Sequence, residues 1–82
     1  MALTKRITVD RIEVLERGEL QVRTATVVSE DGTELSRSFH RHVLVPGDDL
    51  TGQSDRVVAV ANATWTPAVV ADWEAFVAAQ SA

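Results

Sequence analysis

Cysteine is absent from the 82 residues. A disulfide framework, a thiol nucleophile and a zinc–thiolate site are therefore excluded. The chain also lacks any apolar run approaching the roughly 18 residues that a membrane helix needs. Its opening segment, Met1 to Arg6, has no signal-peptide apolar core. Net positive charge is missing too: eight Lys and Arg stand against twelve Asp and Glu, a formal −4, which argues against a nucleic-acid partner. There is no internal repeat, no Ser-His-Asp order, no Gly-rich phosphate loop and no HExxH, so no catalytic constellation is spelled out. The expectation is a non-enzymatic protein without cofactor or metal, made and kept in a reducing cytoplasm.

Apolar residues are present in sufficient number to fold. Val, Ile, Leu and Phe supply 23 of the 82 residues, too many for a disordered tail. This length allows one small domain, 1–82, whose modest core would gain from packing against a partner. The composition changes near residue 47. Residues 1–46 balance seven cations against seven anions, and residues 47–82 carry the whole net charge of −4. Alanine is scarce before residue 55 and abundant after it. β-branched alternation thus gives way to helix-favouring sequence, an α+β layout. It comprises a three-stranded antiparallel meander over 1–46, a loop over 47–53, and two helices over 54–80 packed on one sheet face.

Local signals set the strand limits near 5–15, 20–30 and 33–45. Asp31-Gly32 favours a two-residue hairpin turn. Counting outward from it pairs Val28 with Leu35, Thr26 with Arg37, Thr24 with Phe39, Val22 with Arg41 and Leu20 with Val43 on a mainly apolar face. The opposite, mainly polar face pairs Val27 with Ser36, Ala25 with Ser38, Arg23 with His40 and Gln21 with His42. Glu16-Arg17-Gly18 reads as a three-residue loop that sets Val14 against Leu20 and Ile12 against Val22; a loop shifted by one position would instead set Glu13 against Arg23. Ile7 and Val9 are out of phase with Ile12 and Val14, so a bulge or bend is expected at Asp10-Arg11. Pro46-Gly47-Asp48-Asp49 ends the third strand. Ser54 is a candidate N-cap, followed by Val57, Val58, Ala61 and Trp65 on one helical face. Thr66-Pro67 starts a second helix with the stripe Val69, Val70, Trp73, Phe76 and Val77.

Three groups could carry function. His40 and His42 lie two apart on a strand and share a face, a spacing that suits a metal. A third ligand would have to come from Glu13 or from other subunits of a trimer. The plainer reading is two surface imidazoles beside Ser36, Ser38 and Arg23. Arg37 and Arg41, flanking Phe39 on the apolar face, could grip a carboxylate or phosphate with further donors from a helix N-terminus near Ser54, or lie over the helices and pair with Asp48, Asp49 or Asp55. Trp65, Trp73 and Phe76 could anchor an interface or simply form the core. Ala25, Val27 and Leu44 are assigned to the uncovered sheet face, where a second subunit could pack. Asp48-Asp49 lacks the ligand spacing of a calcium loop and reads as a turn.

Several segments, in this order, carry a resemblance: Val9-Asp10-Arg11-Ile12-Glu13-Val14 with Leu20 to Thr26; Glu30-Asp31-Gly32, Ser38 to Leu44 and Pro46 to Asp49; and Trp65-Thr66-Pro67-Ala68-Val69-Val70. Over roughly residues 7–77 the chain resembles a group of small, mostly uncharacterised proteins of tailed bacteriophages and prophages, whose members sit among virion structural and tail genes. None of the segments is an active-site motif, and no catalytic residue carries over. The resemblance implies a phage setting and by itself assigns no role; within that setting the expectation is a structural or accessory protein, a homo-oligomer touching other phage or host proteins in the virion, at its tail, neck or capsid surface. The alternative is a protein of the host cytoplasm that inhibits a defence protein or sequesters an anionic signal nucleotide through Arg23, Arg37 and Arg41. Neither reading involves nucleic acid or a membrane.

Overall fold

Asp31 and Gly32 both adopt positive φ, 49° and 84°, the conformation that a two-residue turn between twisted strands requires. In the computed structural model, which describes residues 2–81, they join β2 (Leu20–Glu30) to β3 (Thr33–Leu44). Strand β1 (Leu3–Val14) precedes them, and the three form an antiparallel sheet of order β1-β2-β3. Helices α1 (Asp55–Thr64) and α2 (Pro67–Ser81) follow. This is the α+β meander-plus-helices layout expected from the composition. No helix among the described residues is long and apolar enough to cross a membrane.

The first hairpin has the pairing of the Glu16-Arg17-Gly18 loop: Val14 faces Leu20 and Ile12 faces Val22. Leu15 N–H donates to the Glu19 carbonyl at 2.8 Å to close it. The expected irregularity at Asp10 is a bulge, because Arg11 opposes Arg23 while Val9 opposes Thr24. It restores phase, bringing Ile7 and Val9 to the face of Ile12 and Val14.

The second hairpin departs from the register counted from its turn. Glu30 opposes Thr33 and Ser29 opposes Glu34, as that register requires, but Val28 then opposes Ser36 and Leu35 is left over as a second bulge. Every later pair is displaced by one. Leu44 meets Leu20, His42 meets Val22, His40 meets Thr24, Phe39 meets Ala25, and Arg41 meets Arg23. With a side-chain period of two, that single residue moves all of β3 beyond it to the opposite face. The physical reason lies in the core. Without the bulge, Arg41 would sit against Val22, which is fully buried, and a guanidinium there would lose its water without a partner.

The core occupies one end of one face. Leu20, Val22, Val57 and Ala61 are fully buried and Leu44 nearly so, with Val9, Ile12, Leu50, Val60 and Trp65 around them. The two core residues from α1 come from the Val57/Ala61 stripe, and Ser54 caps that helix by accepting from Val57 N–H. Burying a side chain such as Val57 contributes about 1.5–3 kcal/mol. Helix α2 starts at Pro67 behind Thr66, whose hydroxyl accepts from Val69 N–H at 3.3 Å. It lies at the turns that end the sheet: a Cβ on Gly18 would meet Val69, and one on Gly47 would meet Val70. No α2 residue is fully buried, and Val77 is exposed.

The helices therefore cover only part of a sheet whose twelve-residue strands extend roughly 40 Å at about 3.3 Å per residue. The molecule measures 57 × 23 × 19 Å with a radius of gyration of 16.6 Å, against roughly 12 Å for a compact chain of this length. Its accessible surface of 5614 Å² likewise exceeds the roughly 4800 Å² of a compact protein of this mass.

Candidate functional site

The two bulges together sort the charged residues. Alternation from the core residues places Arg6, Arg11, Arg23, Arg37 and Arg41 on the face that carries no helix. These are five of the seven arginines in the chain. Arg11, Arg23 and Arg41 stand abreast across the three strands. Like charges directly opposite destabilise a sheet, so the row needs anions.

The bulge residue Asp10 supplies the first. Its two carboxylate oxygens accept from Nε and Nη2 of Arg23 at 2.9 and 2.7 Å. The hydrogen bonds from Arg23 hold the Asp10 carboxyl below its ordinary value, against the opposing effect of burial, and the same carboxylate raises Arg23. Arg37 is gripped in the same forked way by Glu34, at 3.1 and 2.8 Å, and lowers that carboxyl. Arg11 approaches Glu13 at 3.5 Å. Arg41 has no carboxylate or hydrogen-bond partner among the described residues.

Phe39 lies between these arginines and is 48% exposed. The Arg23 guanidinium sits over its ring, 4.3 Å from the centroid. Ala25 and Val27, expected to be available to a subunit on this face, are on it but already buried within the chain. Leu44, assigned to the same face, lies on the other one, in the core against Leu20. What the helix-free face presents is Phe39, Val43 and the guanidinium groups.

Several further expectations are corrected by the register. Arg37 and Arg41 do not lie over the helices, and Arg37 pairs with Glu34 rather than with Asp48, Asp49 or Asp55. His40 and His42 are on the helix side, not the helix-free side. His42 is half-buried and its Nε2–H donates to Gln53 Oε1 at 3.0 Å; the two imidazoles are 6.3 Å apart. Glu13 is on the opposite face, and no three His, Asp or Glu gather into a metal-ligating group among the described residues. Asp48 and Asp49 work as turn residues: Asp48 accepts from Val45 N–H, and Asp49 from the Thr51 backbone and hydroxyl.

Of the aromatic residues of the helices, Trp65 alone packs against the buried core cluster. Trp65 is half-buried and donates to the Gly18 carbonyl at 2.6 Å. Trp73 packs on Phe76 with centroids 5.5 Å apart, and Arg17 covers the Phe76 ring at 4.0 Å while reaching Asp72. On the helix side, a cleft of about 550 Å³ is lined by Ile7, Val9, Thr24, His42, Gln53 and Arg56. Two of its polar side chains are hydrogen-bonded within the chain: His42 to Gln53, and Arg56 to the Val9 carbonyl at 3.0 Å.

Both outer strands are sheet edges, and they differ. β1 is interrupted at mid-strand by the Asp10 bulge. β3 has its bulge at the start, so Ser36–Leu44 runs as nine residues of unbroken register. From Thr33 to Arg41 every side chain of β3 is exposed, on both faces. The sequence offered His40 with His42, and Arg37 with Arg41, as candidate pairs. It did not show that they form one regular free edge, because that depends on where the bulge falls. Comparisons with protein-family models, curated proteins and solved structures find no match to this chain.

Proposed function

We propose that this chain is a small non-enzymatic bacteriophage structural or accessory protein that works by protein–protein contact as a homo-oligomer in the virion. The observation that carries the contact role is the incomplete covering of the sheet. A 57 Å molecule keeps its core at one end and leaves Leu3, Ile7, Leu35, Phe39 and Val43 between 48% and 63% exposed. A monomer has no use for such surface, and a sheet edge of this length is a template for strand addition. The phage setting is supported by the resemblance over roughly residues 7–77. Sequestration of an anionic nucleotide by Arg23, Arg37 and Arg41 is the weaker reading, because Arg23 and Arg37 already hold carboxylates of the chain itself.

The test is mass spectrometry of purified virions from a phage that encodes the chain, with thermal unfolding of the isolated protein in the presence of cyclic and linear nucleotides. The protein is expected in the particle, with an unfolding temperature indifferent to nucleotide. Its absence from virions, with a shift of several degrees on adding a nucleotide, would replace this reading by the sequestering one. A ligand at 100 times its Kd stabilises by about 2.7 kcal/mol.

A further inference from the structure

The free edge of β3 fits one partner in particular, a second copy of itself. We infer that two chains pair antiparallel along Ser36–Leu44, about a two-fold axis at His40, to make one continuous six-stranded sheet. The inference rests on the homo-oligomer reading above and names its contact.

Three independent features select that axis. The first is length. An antiparallel self-pairing centred on His40 sets Ser36 against Leu44 of the second copy, so it uses all nine residues of the unbulged segment. A centre displaced toward the turn runs the pairing into the Leu35 bulge, where the ladder breaks. A centre displaced toward Leu44 shortens the overlap.

The second feature is charge. Centring on Phe39 would place Arg37 opposite Arg41 twice, and centring on Arg41 would place Arg41 opposite itself. Like charges directly opposite oppose pairing. Centring on His40 puts Arg41 opposite Phe39 and Arg37 opposite Val43, with no arginine facing another.

The third is complementarity. Arg41 is without a carboxylate partner among the described residues, and Phe39 is 48% exposed with Arg23 already over its ring. In the His40-centred register each Arg41 reaches the Phe39 of the other chain, twice by symmetry. Arginine over an aromatic ring is a favourable cross-strand contact. Such an interface is isologous and closes at two chains, removing the β3 edge from further pairing.

The absence of cysteine makes the test direct, since any introduced thiol is the only one. The full chain would be measured by light scattering on a size-exclusion column, and His40→Cys and Ser36→Cys would be oxidised side by side. The expected result is twice the 8.9 kDa chain mass, with His40→Cys cross-linking to a covalent dimer and Ser36→Cys, which faces Leu44, remaining uncoupled. Two Cβ atoms directly opposite on antiparallel strands are about 5 Å apart, close enough for a disulfide. Arg41→Glu, at an exposed position, is expected to keep the fold by circular dichroism and to lose the dimer. An oligomer in which Ser36→Cys couples as fast as His40→Cys would overturn the β3 pairing and leave the homo-oligomer reading standing. An open series of larger species would overturn the closed two-fold. A monomer at all concentrations would overturn both.

Discussion

The indole Nε1–H of Trp65 donates to the carbonyl oxygen of Gly18 at 2.6 Å, tying the C-cap of α1 to the turn that opens β2, 47 positions away in sequence. The site is half-buried, so losing the donor leaves the Gly18 carbonyl short of a partner. Trp65→Phe keeps an aromatic ring and removes only the donor. It should lower stability by about 1 kcal/mol, read from urea unfolding. An unchanged midpoint would mean that water replaces the indole at no cost.

Gly18 is constrained twice. Its φ is +93°, and a Cβ there would stand 2.8 Å from Val69 Cγ1 and 3.2 Å from Pro46 Cγ. Gly32, at +84°, has nothing within 4 Å of the same point. Gly32→Ala therefore meets backbone strain alone, about 1–2 kcal/mol. Gly18→Ala meets that strain and also pushes α2 off the turn. Its loss in denaturant unfolding should clearly exceed that of Gly32→Ala. Equal losses would mean that α2 moves aside freely and is not held by the turn.

Acid should find the Asp10–Arg23 pair before neutral pH affects it. The Asp10 carboxyl is held below its ordinary value, first by the hydrogen bonds from Arg23. Glu34 is lowered in the same way by Arg37. A carboxyl whose folded pKa lies below its unfolded value, about 3.9 for Asp and 4.3 for Glu, stabilises the fold above that unfolded value. The contribution is lost as pH falls through the folded pKa. Melting temperature should be level from pH 8 to about 5 and fall below about 4. Asp10→Asn should flatten that acid limb more than Glu34→Gln, because the Asp10 side chain is 18% exposed and that of Glu34 46%. At neutral pH Asp10→Asn also leaves Arg23 between two arginines, so added salt should recover part of the loss. A salt-independent loss would show that the row of arginines carries no repulsion.

Much of this architecture is legible in the residues. Asp31-Gly32, Glu16-Arg17-Gly18, Ser54 and Thr66-Pro67 each name a turn or a cap by its local chemistry, and each stands where expected. The Asp10 bulge is legible too, because Ile7 and Val9 fall out of phase with Ile12 and Val14. The Leu35 bulge is not. Ser36, Ser38, His40 and His42 alternate with Arg37, Phe39 and Arg41, so both faces of β3 are of mixed polarity and neither sets a register. The choice is made at a distance by α1, which buries Val22 and accepts His42 and Leu44 beside it but not Arg41. A long-range constraint of that kind has no local signature, and the placement of every candidate site residue on β3 depended on it.

The Leu35 bulge makes a further prediction. Leu35 has no partner in β2, whereas Glu34 before it and Ser36 after it both do. If the bulge serves only to shift phase between the turn and the core, deleting Leu35 joins two segments whose partners are already fixed. Glu30 still meets Thr33, Val28 still meets Ser36, and His42 still meets Val22 and reaches Gln53. The leucine removed is 56% exposed, so little apolar burial is lost with it. The deletion variant should therefore fold, with a melting temperature within a few degrees of the parent, since 1 kcal/mol corresponds to roughly 4–8 °C in a domain of this size. Amide chemical-shift changes should stay within the hairpin tip around Ser29–Ser36. Changes reaching Leu44, Val57 and Ala61 would show instead that the bulge sets the twist of the whole hairpin, and through it the fit of α1 on the sheet.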